Sequence, residues 1–216
     1  MKKSVYSLVL SDDVVALVDR AAAKRGVSRS SFIDEILARE LSCQTQKMRI
    51  REIFGHMEDL IGSTSMRLKA PPSDVQMSLL SSLSYKYNPT MRYAVELTHK
   101  TEGVIGALKI SCRTQSAAFL SALSEFFYLF AGLERTSAPR GVRFTEDGNG
   151  RITRYLAVPE GHFYSPAETG KAISAYISMF DRALNTYFSY LPDTERAARS
   201  AAGVYAAYIN RNPYRI

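Results

Sequence analysis

The alternation from Val5 to Leu10 constrains this chain more than any other stretch. Tyr6, Leu8 and Leu10 are apolar on one side, while Val5, Ser7 and Val9 occupy the other. A period of two predicts a half-buried β-strand. Ser11 then offers a capping oxygen, and Asp12 and Asp13 put negative charge on a first helical turn, where the dipole favours it. Val14, Leu17, Val18, Ala21 and Ala22 recur at helical spacing, with Lys24 and Arg25 in the last turn. Gly26 sits where a left-handed residue closes a helix. Ser28 can cap a second helix, whose apolar face is Phe32, Ile33, Ile36, Leu37 and Leu41.

One strand and two helices do not make a self-sufficient domain. A lone strand leaves its backbone donors and acceptors unpaired, and about 40 residues lies near the lower limit for burying a core. A second copy of the chain supplies both needs. Two strands pair antiparallel into a ribbon, and four helices close a shared core around Tyr6, Leu8, Leu10 and the helical apolar faces. The sequence therefore predicts an obligate homodimer.

The strand at Val5–Leu10, the helix ending at Lys24-Arg25, the Gly26-Val27-Ser28 turn and the helix from Arg29 resemble the ribbon-helix-helix (Arc/Met repressor-like) DNA-binding family. The resemblance covers residues 4–42 only. It implies a ribbon that enters the major groove and reads bases through Val5, Ser7 and Val9. It also implies a phosphate contact at Ser28, Arg29 and Ser30, where the second helix begins. Lys2 and Lys3 would add charge at the ribbon ends. The reading face departs from the family's usual long polar donors. Valine packs on a thymine methyl and serine bonds to either kind of base, so recognition here would lean on methyl contacts and DNA shape.

The chain has 216 residues, 46% of them hydrophobic, enough for two small domains. Its net charge of +7 favours a polyanionic partner, but residues 1–42 carry only +1, residues 43–70 carry +2 and residues 71–216 carry +4. DNA binding would therefore rest on geometry rather than on one dense basic block. Cys43 and Cys112 stand far apart without a pairing motif, which suits a reducing cytoplasm. Lys2-Lys3 leads straight into the strand rather than into a signal sequence, and the apolar run Phe126–Leu133 is too short for a bilayer. We expect a cytoplasmic protein that does not engage a membrane.

Residues 43–72 read as a helical linker, with Ile50, Ile53, Phe54, Met57, Leu60 and Ile61 on one face and Pro71-Pro72 at its end. Residues 73–216 read as one α+β domain for effector sensing or assembly. Within it we expect a short helix from Ser73 or Asp74 to Leu83, and a hairpin of 90–98 with 104–111. A buried helix over 116–133 follows, then a second hairpin of 141–144 with 151–158 turning through Asp147-Gly148-Asn149-Gly150. Helices from Pro166 and from Thr194 to about Ile209 end the chain. The expected fold class is α+β, an intertwined ribbon-helix-helix dimer followed by this domain.

Catalytic and metal chemistry find little footing. His56, His99 and His162 are isolated, and neither C-x-x-C nor H-x-x-x-H occurs. P-loop, G-x-G-x-x-G and G-x-S-x-G patterns are missing too. We expect no enzyme activity, no cofactor and no metal. Cys112 reads as a small core residue. Arg135, Arg140, Arg143, Arg151 and Arg154 flank the second hairpin near Tyr155, His162, Phe163 and Tyr164. Arg140, Arg143, Arg151 and Arg154 are candidate anion or ligand contacts.

The expectation is a dimeric, sequence-specific transcriptional regulator, a repressor acting on double-stranded DNA, with room for higher assembly on DNA. Alternatives are a plasmid relaxosome or partition accessory protein, an antitoxin, or a dimerisation module without DNA binding.

Overall fold

A computed structural model describes residues 7–41, 45–62, 64–101, 103–135, 137–139, 142–146 and 149–216. The chain is mixed α+β, with six helices and one six-stranded antiparallel sheet among these residues. It divides into two compact units, residues 1–49 and 50–216.

The first unit holds α1 (Asp12–Arg25) and α2 (Arg29–Glu40), at the positions the capping signals indicate. Gly26, at φ 64°, closes α1: its amide donates to Ala23 O and the Val27 amide to Ala22 O, both at 3.1 Å. Such a left-handed exit satisfies the last carbonyls of a helix. The Ser28 oxygen accepts from the Ser31 amide at 3.2 Å and caps α2, whereas Ser11 makes no side-chain cap.

α3 (Gln46–Ile61) begins in the first unit and from Ile50 belongs to the second. Ile50, Ile53, Phe54, Met57 and Ile61 lie in the same core as the sheet. The expected 43–72 linker is thus largely a core helix, and the boundary falls at residue 49 rather than 72. An apolar stripe at helical spacing has the same pattern whether it faces a second copy or its own domain.

The sheet contains β1 (Arg67–Leu68), β2 (Gln76–Ser82), β3 (Thr90–Thr101), β4 (Val104–Cys112), β5 (Phe144–Glu146) and β6 (Arg151–Ala157), in the order β1-β2-β3-β4-β6-β5. β2 replaces the helix expected over 73–83. Ser73 does cap, accepting the Gln76 amide at 3.0 Å, but the turn it closes leads into a strand. The expected first hairpin forms as β3 and β4, and β5 pairs antiparallel with β6 at 144–146 rather than 141–144, while Asp147 and Gly148 of the expected turn lie outside the described residues. Gly106 sits at a register shift where any Cβ would come within 2.2 Å of Glu96 O, so only glycine lets β3 and β4 close up there.

α4 (Ala117–Glu134), α5 (Pro166–Tyr190) and α6 (Thr194–Arg211) complete the unit. α5 is the central helix, with fourteen buried residues, and a Ser165–Glu168 capping box fixes its start. Phe126, Phe130, Tyr176, Phe180 and Tyr205 interlock edge-on or tilted between α4, α5 and α6. α4, expected to be a buried helix, buries one face and leaves Tyr128 75% exposed. By length and composition α4 is apolar enough to cross a bilayer, but its phenylalanines already pack in this core.

Candidate nucleic-acid interface

Of the residues the ribbon assigns to DNA, Lys2, Lys3 and Val5 lie outside the described residues. Ser7, Leu8, Val9 and Leu10 form no strand in the single chain. A strand exists by pairing, and all the sheet's own strands lie in the second unit. Residues 7–10 are exposed, with Leu8 at 60%.

The turn between α1 and α2 is built firmly. The Phe32 amide donates to Ser28 O at 3.0 Å, so the Arg29 and Ser30 amides precede the first intrahelical bond of α2, at the positive end of its dipole. Ser28 and Ser30 are exposed there. Arg29 is engaged elsewhere. Its guanidinium forks onto the carboxylate of Asp19 on α1, Nε to Oδ1 and Nη2 to Oδ2, the latter at 2.6 Å. Arg25 lies over the Phe32 ring at 5.2 Å and 3.8 Å from Glu35. Arg29 therefore braces the helix pair, and Ser28 and Ser30 are better placed than Arg29 to meet a phosphate.

The helix pair buries little on its own. Val18, Ala22 and Phe32 form its core, with Ala21, Val27 and Ile33 beside them. Leu8, Leu10, Val14, Leu17, Ile36, Leu37 and Leu41 all remain exposed, Leu17 at 58% and Leu41 at 74%. These are the positions expected to meet a second copy.

The arginine group at the second hairpin is not brought together. Arg151 is exposed on the open side of β6, and Arg143 stacks on Tyr155 at 4.3 Å on that side. Arg135 is exposed at the end of α4, and Arg140 lies outside the described residues. Arg154 points the opposite way. It is 1% exposed, donates to Glu134 Oε2 at 2.8 Å and to the main-chain oxygen of Ile216, and lies over the Tyr176 ring at 3.9 Å. It is removed from any external anion. Strand parity carried this signal: Arg154 is in phase with Ile152 and Leu156, and Arg151 is not.

Around that pair, Glu134 Oε1, Arg154 Nη1 and the hydroxyls of Tyr176 and Tyr208 have no hydrogen-bond partner among the described residues. Burial holds the Tyr176 phenol well above its usual pKa, reinforced by Glu134. It pushes Tyr208 up to about 12, with Arg154 opposing and Glu134 adding. The recess they share with Ser137, Tyr205 and Arg215 has room for about one water molecule. It is a polar knot in a core, too small for an organic effector.

Cys112 is buried and its thiol is pushed up by burial, as befits packing rather than nucleophilic chemistry. Among the described residues no three His, Cys, Asp or Glu side chains gather where they would hold a metal. Compared with known proteins, the chain matches no family model, no curated protein and no solved structure.

Proposed function

We propose that the chain is a homodimeric, sequence-specific DNA-binding regulator, a repressor, whose first unit pairs with its twin through a two-stranded ribbon. The observation that carries this reading is the uncovered apolar surface of the first unit, four large side chains on the helix pair together with Leu8, Leu10 and Leu41 beside it. Full burial of one such side chain contributes about 1.5–3 kcal/mol. A shared core is the simplest way for an otherwise firmly capped unit to cover so many, and it gives the 7–10 segment a strand to pair with. Ser7 and Val9 then face outward with Val5, and Ser28 and Ser30 offer a phosphate seat at the start of α2.

The test joins assembly to binding. Sedimentation of the full chain should show a dimer at nanomolar concentration, with Leu8→Asp monomeric. Selection of random duplexes by the dimer, followed by sequencing, should return a two-fold symmetric site. On that site Ser7→Ala should narrow the gap between specific and random DNA by about 1–3 kcal/mol or less, the range for a lost base contact. A folded wild-type monomer, or selection without enrichment, would sink the reading. A dimer without enrichment would leave the dimerisation module.

A further inference from the structure

The antiparallel sheet buries one face and opens the other, and its register fixes what stands on the open face. One row across the sheet is Arg67, Leu80, Arg92, Ser111 and Arg151. The next is Ser78, Ala94, Lys109, Thr153 and Thr145, with Lys69 opposite Ser78. The third is Gln76, Glu96, Ala107 and Tyr155, with Arg143 opposite Tyr155. Met77, Leu79, Tyr93, Val95, Leu108 and Ile110 alternate with these and fill the core.

Among the described residues six cations, Arg67, Lys69, Arg92, Lys109, Arg143 and Arg151, therefore share this face with one carboxylate, Glu96, a net of +5. The whole second unit, residues 50–216, carries nineteen Lys/Arg against fifteen Asp/Glu, a net of +4. The rest of the unit is thus slightly acidic, and its positive charge is segregated onto one side of the sheet. Arg92 and Arg143 are held by uncharged neighbours, and Lys109 pairs with the one carboxylate already counted. Arg92 donates to Ser78 at 3.0 Å, Lys109 meets Glu96 at 2.7 Å, and Arg143 covers Tyr155.

We propose that this open sheet face is a second nucleic-acid contact, binding the sugar–phosphate backbone of double-stranded DNA without regard to sequence. Charge complementarity identifies the partner class: a segregated positive face fits a dense polyanion. The side chains between the cations identify the duplex. Ser78, Ala94, Ala107, Ser111, Thr145 and Thr153 are small, and Tyr155, the face's only aromatic among the described residues, lies under Arg143. A protein that holds unstacked bases needs rings to stack them on, and this face lacks a row of rings. Arg67, Arg92 and Arg151 recur on every second strand, about 9.6 Å apart. That spacing falls within the groove widths of about 6–12 Å that separate phosphates across a duplex. Small neighbours let the backbone approach while the long cations reach it.

This inference stands apart from the ribbon reading, and the full chain can test both. A sheet variant carries Arg67→Gln, Lys69→Gln, Lys109→Gln and Arg151→Gln, all at exposed positions. A charge-matched control carries Lys171→Gln, Arg182→Gln, Arg199→Gln and Arg211→Gln, exposed on α5 and α6. Circular dichroism should show all three proteins equally folded. Fluorescence anisotropy on a random duplex then reads affinity across a salt series. Each lost phosphate contact lowers the slope of log affinity against log salt by about 0.9. The sheet variant should lose about 2–4 units of slope and at least tenfold in affinity, and the control far less. Leu8→Asp, which disables the ribbon, should keep salt-sensitive binding to random duplex that disappears when the sheet substitutions are added. Equal losses in sheet variant and control would overturn the proposal and leave the ribbon reading intact. Tighter binding of a single strand than of the duplex would also overturn it. Should the sheet variant lose affinity while Leu8→Asp changes binding to no sequence, the sheet face stands and the ribbon reading falls.

Discussion

Arg154 occupies a strand position where its neighbours in phase are hydrophobes, and everything around it compensates for that choice. Glu134 neutralises it, Tyr176 covers it, and the main-chain oxygen of Ile216 accepts a further hydrogen bond from it. A buried pair of this kind is weak evidence for stability, because desolvation offsets most of the attraction. The tyrosines nearby have a more visible effect. Burial raises the phenols of Tyr93, Tyr176, Tyr187, Tyr205 and Tyr208 above their ordinary value. With folded-state values above the unfolded value of about 10, the unfolded chain releases protons that the native state keeps. Their contribution is complete below pH 10 and is lost as pH rises toward the folded values. The urea midpoint should therefore begin to fall near pH 10 and drop steadily as the pH is raised further. Tyr208→Phe should leave the midpoint at pH 7 nearly unchanged, since that hydroxyl has no hydrogen-bond partner within 3.5 Å among the described residues, and should make the alkaline fall shallower. At this scale the sequence offered parity, which separates Arg151 from Arg154. The partners of Arg154 come from 20 and 62 residues away, beyond any local pattern.

Helices announced themselves through their ends. Ser28 caps α2 as its position suggests, the Gly26 exit is where the pattern put it, and α5 and α6 start at the expected Pro166 and Thr194, whereas Ser11 makes no side-chain cap. β2 did not, because Ser73 caps a turn as readily as a helix, and the Leu79-Leu80 pair breaks the visible alternation of Met77, Leu79 and Ser81. The crossing of elements was also hidden. Gly170 of α5 lies against α3, where a Cβ would fall 2.9 Å from His56 Cβ and 3.0 Å from Ile53 O. Gly203, in the interior of α6, has nothing within 4 Å. The same substitution should have opposite signs at these two sites. Gly203→Ala should stabilise by about 0.5–1 kcal/mol through helix propensity. Gly170→Ala should destabilise by about 1–3 kcal/mol, because the rigid backbone of α3 must move. Paired thermal melts would decide; a gain at both sites would mean that α3 and α5 do not cross as closely as described.

For the whole molecule, the placement of α3 sets where the chain can be cut. Ile50, Ile53, Phe54, Met57 and Ile61 are buried in the second unit's core, and each contributes about 1.5–3 kcal/mol by its burial. Their sum is comparable with the 5–15 kcal/mol that separates a folded domain from its unfolded chain. Residues 50–216 should melt cooperatively alone, whereas residues 73–216 should show no cooperative transition by circular dichroism. A sharp melt of the shorter fragment would return the boundary to the Pro71-Pro72 region. The α+β class was readable from alternating strand and helix patterns. Which unit a stripe serves was not, because periodicity reports that a face is buried and never against what.

The tyrosine-lined core also decides how the molecule can be watched. The chain has 13 tyrosines and no tryptophan, so its ultraviolet absorption and intrinsic emission come almost wholly from phenol rings. Tyr93, Tyr176 and Tyr208 sit inside the second unit, while every described residue of the first unit lacks a phenol. Twelve of the 13 lie in residues 50–216, so emission through a titration reports chiefly the fold of the second unit, to which the first adds only Tyr6. A single tryptophan placed at Leu37 would give the first unit an emission of its own, and its colour would report whether a second copy has covered it.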